Sequence, residues 1–216
     1  QAKVYSAKGQ FNEALESYKQ AVEIDPKNGV AYYNLGVLYL EKKDIDKAHE
    51  YLEMSVGLDE AYYEAHEALS RVYSKKKMYD KAVFEINEAI KLRNDEPSLH
   101  LSLGSLLLKS DKENQAEKVF IKTADLFPKS FTVQLRIAEW YFTKENFDKA
   151  FNFYKVAEKL SSNSHVVQSR LGKIYTIKND NVKAQKAFEK LIKIRPNDAQ
   201  SYYQFGKLLS SEGKLS

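Results

Sequence analysis

The residues best able to hold a metal or move a proton in this chain are four histidines: His49, His66, His100 and His165. No two are four residues apart, the spacing that sets two imidazoles on one helix face. His66 and His100 stand 34 residues apart. A metal shared by them would want further ligands, and the chain has no cysteine. That absence also excludes disulfide frameworks and thiol nucleophiles, while choosing no compartment. His66 and His100 therefore read as packing side chains. The carboxylate pairs Asp44/Asp46 and Asp59/Glu60 fall beside turns, where acids favour the positive end of a helix dipole. General acid–base work needs a pocket that shifts a pKa, and nothing around these pairs predicts one. Lys42-Lys43 and Lys75-Lys76-Lys77 read as solvated helix ends that complement the C-terminal dipole. The glycines are dispersed, so there is no phosphate-cradling loop. Gly104-Ser105 lacks the flanking residues of a nucleophile elbow. No catalytic residue, cofactor or metal is expected.

These residues sit on elements that composition narrows to helices. Hydrophobic residues make up 43% of the 216 and charged residues 30%, an ordinary soluble balance. Only 8 Gly and 4 Pro are present, too few for the many tight turns of an all-β fold. No apolar run reaches the roughly 18 residues of a membrane span. Gln1 to Gly9 does not read as a signal peptide. The net charge of +4 hints at acidic partners, and nucleic acid is not the expected ligand.

The elements repeat. Ala14, Ala48, Ala82, Ala116, Ala150 and Ala184 are spaced 34 residues apart. In the same register run Tyr5, Tyr39, Tyr73, Leu107, Tyr141 and Tyr175, and also Tyr18, Leu52, Ile86, Phe120, Tyr154 and Phe188. Ala2, Gly36, Ser70, Gly104, Ala138, Gly172 and Gly206 form a column of small residues. Pro26, Pro128 and Pro196 share another. Apolar residues recur at the helical spacing of three and four, as in Leu35, Leu38 and Tyr39. With Gly29 as position 1, small residues at positions 8 and 20 let two helices approach, and large ones at 11 and 24 fill the space. Short turns separate the helices at Gly9-Gln10, Lys43-Asp44, Lys77-Met78, Asp111-Lys112, Glu145-Asn146 and Asn179-Asp180. Gly9 and Asn179 suit a left-handed helix end, and Pro97 suits a first helical turn.

These columns resemble the tetratricopeptide repeat (TPR) pattern, as in Asn34-Leu35-Gly36 with Tyr39, Ala48 and Leu52. The resemblance covers the whole chain. It implies an all-α fold, a right-handed α-solenoid of helix-turn-helix repeats. The full units are 29–62, 63–96, 97–130, 131–164 and 165–198, between partial ones at 1–28 and 199–216. The whole reads as one array and as a segment of a longer protein.

The resemblance further implies that the first helix of each unit lines a concave groove through positions 2, 5, 6, 9, 12 and 13. The groove would carry Tyr33, Asn34, Val37, Glu67, Arg71, Leu101, Ser102 and Ser105, then Leu135, Arg136, Glu139 and Phe142. Towards the C-terminus it would carry Ser169, Arg170, Lys173, Tyr203, Gln204 and Lys207. Cations outnumber acids on these lines, so the expected ligand is a protein or peptide with acidic residues beside apolar anchors. The expected role is a protein–protein interaction scaffold or adaptor, or else an accessory arm of a larger enzyme or secretion machine. Head-to-tail self-association through open repeat ends is a further expectation. Two TPR subtypes do not fit. The two-carboxylate clamp of chaperone-tail binders would need Asn where Lys3 stands, and Lys and Arg where Glu64 and Ala68 stand. The asparagine ladder of sugar-transferring enzymes is reduced to Asn34.

Overall fold

The computed structural model describes residues 10–211, so Ala2, Lys3, Tyr5 and Gly9 lie outside the described residues. Within them stand twelve α-helices and no strand. The first helices of the repeats are α2 (Gly29–Glu41), α4 (Tyr63–Lys75), α6 (Pro97–Lys109), α8 (Phe131–Thr143), α10 (His165–Ile177) and α12 (Ala199–Ser211). The second helices are α1 (Phe11–Ile24), α3 (Ile45–Leu58), α5 (Tyr79–Leu92), α7 (Glu113–Leu126), α9 (Phe147–Leu160) and α11 (Asn181–Ile194). The chain divides into two compact units, Gln1–Lys122 and Thr123–Ser216. In the first, α2 pairs with α3 and α4 with α5, and α3 packs on α4 and α5 on α6. In the second, α8 pairs with α9 and α10 with α11, while α9 packs on α10 and α11 on α12.

Three hairpins are held by a contact between a glycine and a ring or branched side chain. A Cβ added to Gly104 would lie 2.2 Å from the Phe120 ring, and one on Gly172 2.8 Å from the Phe188 ring. One on Gly36 would lie 2.5 Å from Leu52. These are the position 8 and position 24 columns. Where position 8 is Ser70, its hydroxyl donates to the Ala82 carbonyl at 2.7 Å, so the close approach becomes a hydrogen bond. The six alanines of the 34-residue column are 0% exposed, because any larger side chain there would hold the helices apart. In α12 the corresponding Gly206 has nothing within 4 Å of an added Cβ.

The tyrosine column adds a second device. Lys47 stands over the Tyr39 ring at 5.3 Å, Lys81 over Tyr73 at 5.4 Å, Lys149 over Tyr141 at 5.2 Å and Lys183 over Tyr175 at 5.7 Å. Each ring lies against its hairpin while a lysine eight residues on covers the ring face, an arrangement worth about 0.5–1 kcal/mol at an exposed site. The single tryptophan, Trp140, packs beside Tyr141 with ring centres 4.6 Å apart.

The turns inside the hairpins are uniform. Lys43, Lys77, Asp111, Glu145 and Asn179 have φ of 63°, 60°, 58°, 56° and 57°. The N–H of the following residue reaches back to close the helix, as Asp44 to the Tyr39 carbonyl at 2.9 Å and Asn146 to Tyr141 at 3.0 Å. This is the Schellman closure. The same following residue then caps the next helix: the Asp44, Asn146 and Asp180 side chains each accept an N–H at 3.2 Å. Two residues thus end one helix and start another. Asn179 was expected in this conformation, but its lysine and glutamate counterparts were not, since those types visit it at a cost. Pro97 opens α6 as expected.

Two stability measurements follow. Gly104→Ala forces a methyl group onto the Phe120 ring and is expected to destabilise by about 1–3 kcal/mol in urea unfolding, as overpacked cores do. An unchanged midpoint would mean that the helices separate freely there. Glu145→Gly removes left-handed strain and is expected to stabilise by about 1 kcal/mol; a loss of stability would refute the strain.

Candidate protein-binding faces

Burial within each first helix selects what a partner can touch. In α2, packing buries Ala31, Tyr32, Leu35, Gly36, Leu38, Tyr39 and Leu40. Those are positions 3, 4, 7, 8, 10, 11 and 12, so position 12, expected in the groove, is buried here while positions 5, 6 and 9 are left on the other side. Tyr33, Asn34 and Val37 are accordingly half-buried.

On the first unit, Tyr33 makes an edge contact with Tyr62, ring centres 5.0 Å apart. Burial, then the charges of Glu64 and Glu67, push the Tyr33 phenol above its ordinary value. Glu67 is half-buried, and burial raises its carboxyl despite Arg71 one turn on. Arg71 is exposed. Leu101 is half-buried and Ser105 exposed. Two of the expected polar contacts are engaged with their own helices. Asn34 donates to the Val30 carbonyl at 2.7 Å, and the Ser105 hydroxyl donates to the Leu101 carbonyl at 2.8 Å.

On the second unit, Leu135 and Lys173 are half-buried, Arg136 and Lys207 exposed, and Tyr203 is 64% exposed. Arg170 differs from the simple cation that the sequence suggests. Its Nε and Nη2 donate to the two oxygens of Glu139 at 3.0 and 2.8 Å. Its guanidinium lies 4.6 Å from the centre of the Phe142 ring. The Tyr154 hydroxyl donates to Glu139 at 2.6 Å from a fully buried position. Burial pulls the Glu139 carboxyl up, but the Arg170 and Tyr154 hydrogen bonds outweigh it, and the net shift is downward. The Glu139 hydrogen bond raises Arg170 in turn. Such a bidentate pair fixes both side chains and cancels their charge.

The histidines have structural duties. The His66 Nδ1 lies 2.7 Å from the Glu85 carboxylate and its Nε2 3.1 Å from the Glu60 carbonyl, with both side chains buried. His100 Nε2 lies 3.0 Å from the Asn94 carbonyl. Gln134 and Gln168 donate likewise to the carbonyls of Pro128 and Ser162, at 3.4 and 3.5 Å. This column therefore ties α4, α6, α8 and α10 each to the turn six residues before it. The carboxylates and lysines near the turns pair across repeats: Lys76 with Asp46 and Lys112 with Asp80, both at 2.7 Å, and Lys178 with Asp148.

Sequence reasoning missed these pairings. Arg170 follows Glu139 by 31 residues, which on the repeat grid is position 9 of one unit against position 6 of the next. Opposite charges at that offset are the signal that finds the pair. Lys76 and Asp46, and Lys178 and Asp148, share an offset of 30.

The His66–Glu85 hydrogen bond raises the imidazole above its ordinary value of 6.5, burial opposing. Its folded pKa thus exceeds the unfolded one. The pair stabilises fully below the ordinary value and loses that contribution as pH rises through the folded value. His66→Gln is expected to cost about 1–3 kcal/mol in the acidic range, as an ill-matched buried acceptor does. The gap between the two urea midpoints should narrow as pH is raised. A gap independent of pH would show that His66 is not charged in the folded chain.

Comparison with known proteins agrees with this geometry. A TPR repeat model matches residues 2–43, and a tetratricopeptide repeat model matches 30–62, 63–96 and 167–198, together more than half of the chain. Anaphase-promoting complex subunit 3 of Schizosaccharomyces pombe is 22% identical over 213 residues, 99% of this chain and 27% of that protein. The chain thus spans about a quarter of the length of this curated relative. Among solved structures, PilF of Pseudomonas aeruginosa superposes with a TM-score of 0.71 at 18% identity, covering 97% of this chain and 94% of that one. YrrB, a TPR protein with an unusual peptide-binding site, gives 0.62 at 19% identity, with 88% and 98% covered. The Cut9–Hcn1 hetero-tetramer of the anaphase-promoting complex gives 0.63 at 17% identity, with 98% and 42% covered. At these identities the solved structures share a fold with this chain, and the family models go further: the chain belongs to the tetratricopeptide repeat family.

Proposed function

We propose that this chain works by holding a peptide or a segment of a partner protein along the exposed faces of its first helices, and that it performs no catalysis. The family is one of protein-interaction scaffolds. The observation that carries the finer reading is the composition of the positions left open by the hairpins. Tyr33, Val37 and Leu101 on the first unit, and Leu135, Phe142 and Tyr203 on the second, are apolar or aromatic and at least partly exposed. Arg71, Arg136, Lys173 and Lys207 stand on the same helices. Apolar or aromatic anchors beside cations are the usual make-up of an interaction hot spot. The ligand class that fits is a protein segment with apolar and acidic residues, docked as an extended strand or short helix.

A second reading concerns assembly. The curated relative named above is by its name a subunit of a complex and is much longer than this chain. That favours an array acting as one arm of a larger machine, with the docked partner as another component.

The test is selection of a displayed random-peptide library on the whole chain. Selected peptides are expected to lose at least about tenfold in affinity, some 1.4 kcal/mol, for the double variant Leu135→Ser/Tyr203→Ser. They should retain affinity for a Glu50→Gln control on a second helix. Peptides indifferent both to this double variant and to Tyr33→Ser/Leu101→Ser on the first unit, with circular dichroism unchanged, would overturn docking on these faces.

A further inference from the structure

The two units differ in charge on their first-helix faces. On the first unit, positions 2, 5, 6, 9, 12 and 13 of α2, α4 and α6 hold Glu41, Glu64, Glu67, Arg71, Lys75 and Lys109 as their charged residues, a net of zero. On the second, the same positions of α8, α10 and α12 hold Arg136, Glu139, Arg170, Lys173 and Lys207, a net of +3. The structure sharpens the second figure. Glu139 and Arg170 neutralise each other through their paired hydrogen bonds, so the excess resides in Arg136, Lys173 and Lys207.

We propose that acidic partner segments are bound by the second unit alone, with Arg136, Lys173 and Lys207 as the contacting cations and Arg170 held out of contact by its pairing with Glu139. This rests on the docking reading above and adds which face takes the acid. Arg170 cannot turn towards a ligand carboxylate without leaving Glu139 and the Phe142 ring, at 2.8 and 4.6 Å. Its charge is met by Glu139, and its guanidinium covers the Phe142 ring. The occupant is an acidic peptide with an apolar residue. The half-buried Leu135 and the exposed Tyr203 offer apolar surface on the same helices as the cations. Arg136, Lys173 and Lys207 are fewer than the roughly six to ten phosphate contacts of a strong nucleic acid binder. On the first unit the half-buried Glu67, which Arg71 offsets only in part, would with Glu64 meet an acidic ligand by repulsion, which costs affinity directly.

The test uses the whole chain and two labelled nine-residue peptides, one alternating Glu with Leu and one alternating Lys with Leu, read by fluorescence anisotropy at low and moderate salt. The acidic peptide is expected to bind at least about tenfold more tightly than the basic one, with affinity falling as salt rises. Arg136→Glu/Lys173→Glu should weaken the acidic peptide at least about tenfold, and Arg71→Glu should change it less than about twofold. Glu139→Gln is the discriminating variant. It releases the Arg170 charge, so acidic binding should tighten about twofold to fivefold; weaker binding would mean that Glu139 or the intact pair contacts the ligand. Loss of acidic binding in Arg71→Glu, with Arg136→Glu/Lys173→Glu silent, overturns the assignment to the second unit while docking itself stands. A single-stranded oligonucleotide that displaces the peptide at moderate salt would also overturn it, in favour of a general polyanion site. If neither peptide binds, while library peptides that depend on Leu135 and Tyr203, or on Tyr33 and Leu101, do, this proposal fails alone; if those fail too, the docking reading falls with it.

Discussion

The distance between the two helices of a hairpin is the constraint on which the rest depends. Gly104 against the Phe120 ring and Gly172 against the Phe188 ring leave no room for a single methyl group. That approach brings position 20 into the interface, where only alanine is found. It also fixes how far the tyrosine at position 11 projects, so that a lysine on the second helix can cover its ring. Because packing buries between five and seven residues of each first helix from α2 to α10, it decides by exclusion which side chains meet a partner. Binding chemistry is in this sense the remainder left by packing.

The turns serve the same geometry. A single left-handed residue followed by a capping residue makes the shortest reversal that still satisfies the backbone at both helix ends. Lys43, Lys77 and Glu145 occupy that place although glycine would suit it better. In two of the three cases the residue next to it, Lys42 or Lys76, reaches the preceding repeat. Such cross-repeat contacts tie neighbouring turns together, and exposed pairs of this kind contribute little each.

How much of this was legible in the sequence depended on the range of the interaction. The alanine and glycine columns could be read directly, because close approach demands small residues and the demand recurs every 34 positions. The capping by Asp44, Asn146 and Asp180 and the opening of α6 by Pro97 were local and equally readable. The pairing of Arg170 with Glu139 was not, because it needs the offset between stacked first helices, which no single repeat contains. Counting Arg170 as a free cation followed from that gap. His66 could be recognised as a packing residue, but the carbonyl it serves and its partner Glu85 depended on how a side chain at position 4 leans back over the preceding turn.

Trp140 gives the molecule an optical asymmetry. It is the one indole among 15 tyrosines, it belongs to the unit Thr123–Ser216, and Tyr141 lies within efficient energy-transfer range of it. Its emission is therefore a private signal of that half, while helical ellipticity sums over both. Repeat arrays melt according to the strengths of neighbouring interfaces, not always as one body. Where ellipticity falls on heating before the emission changes, the half without the indole is the one that opens first.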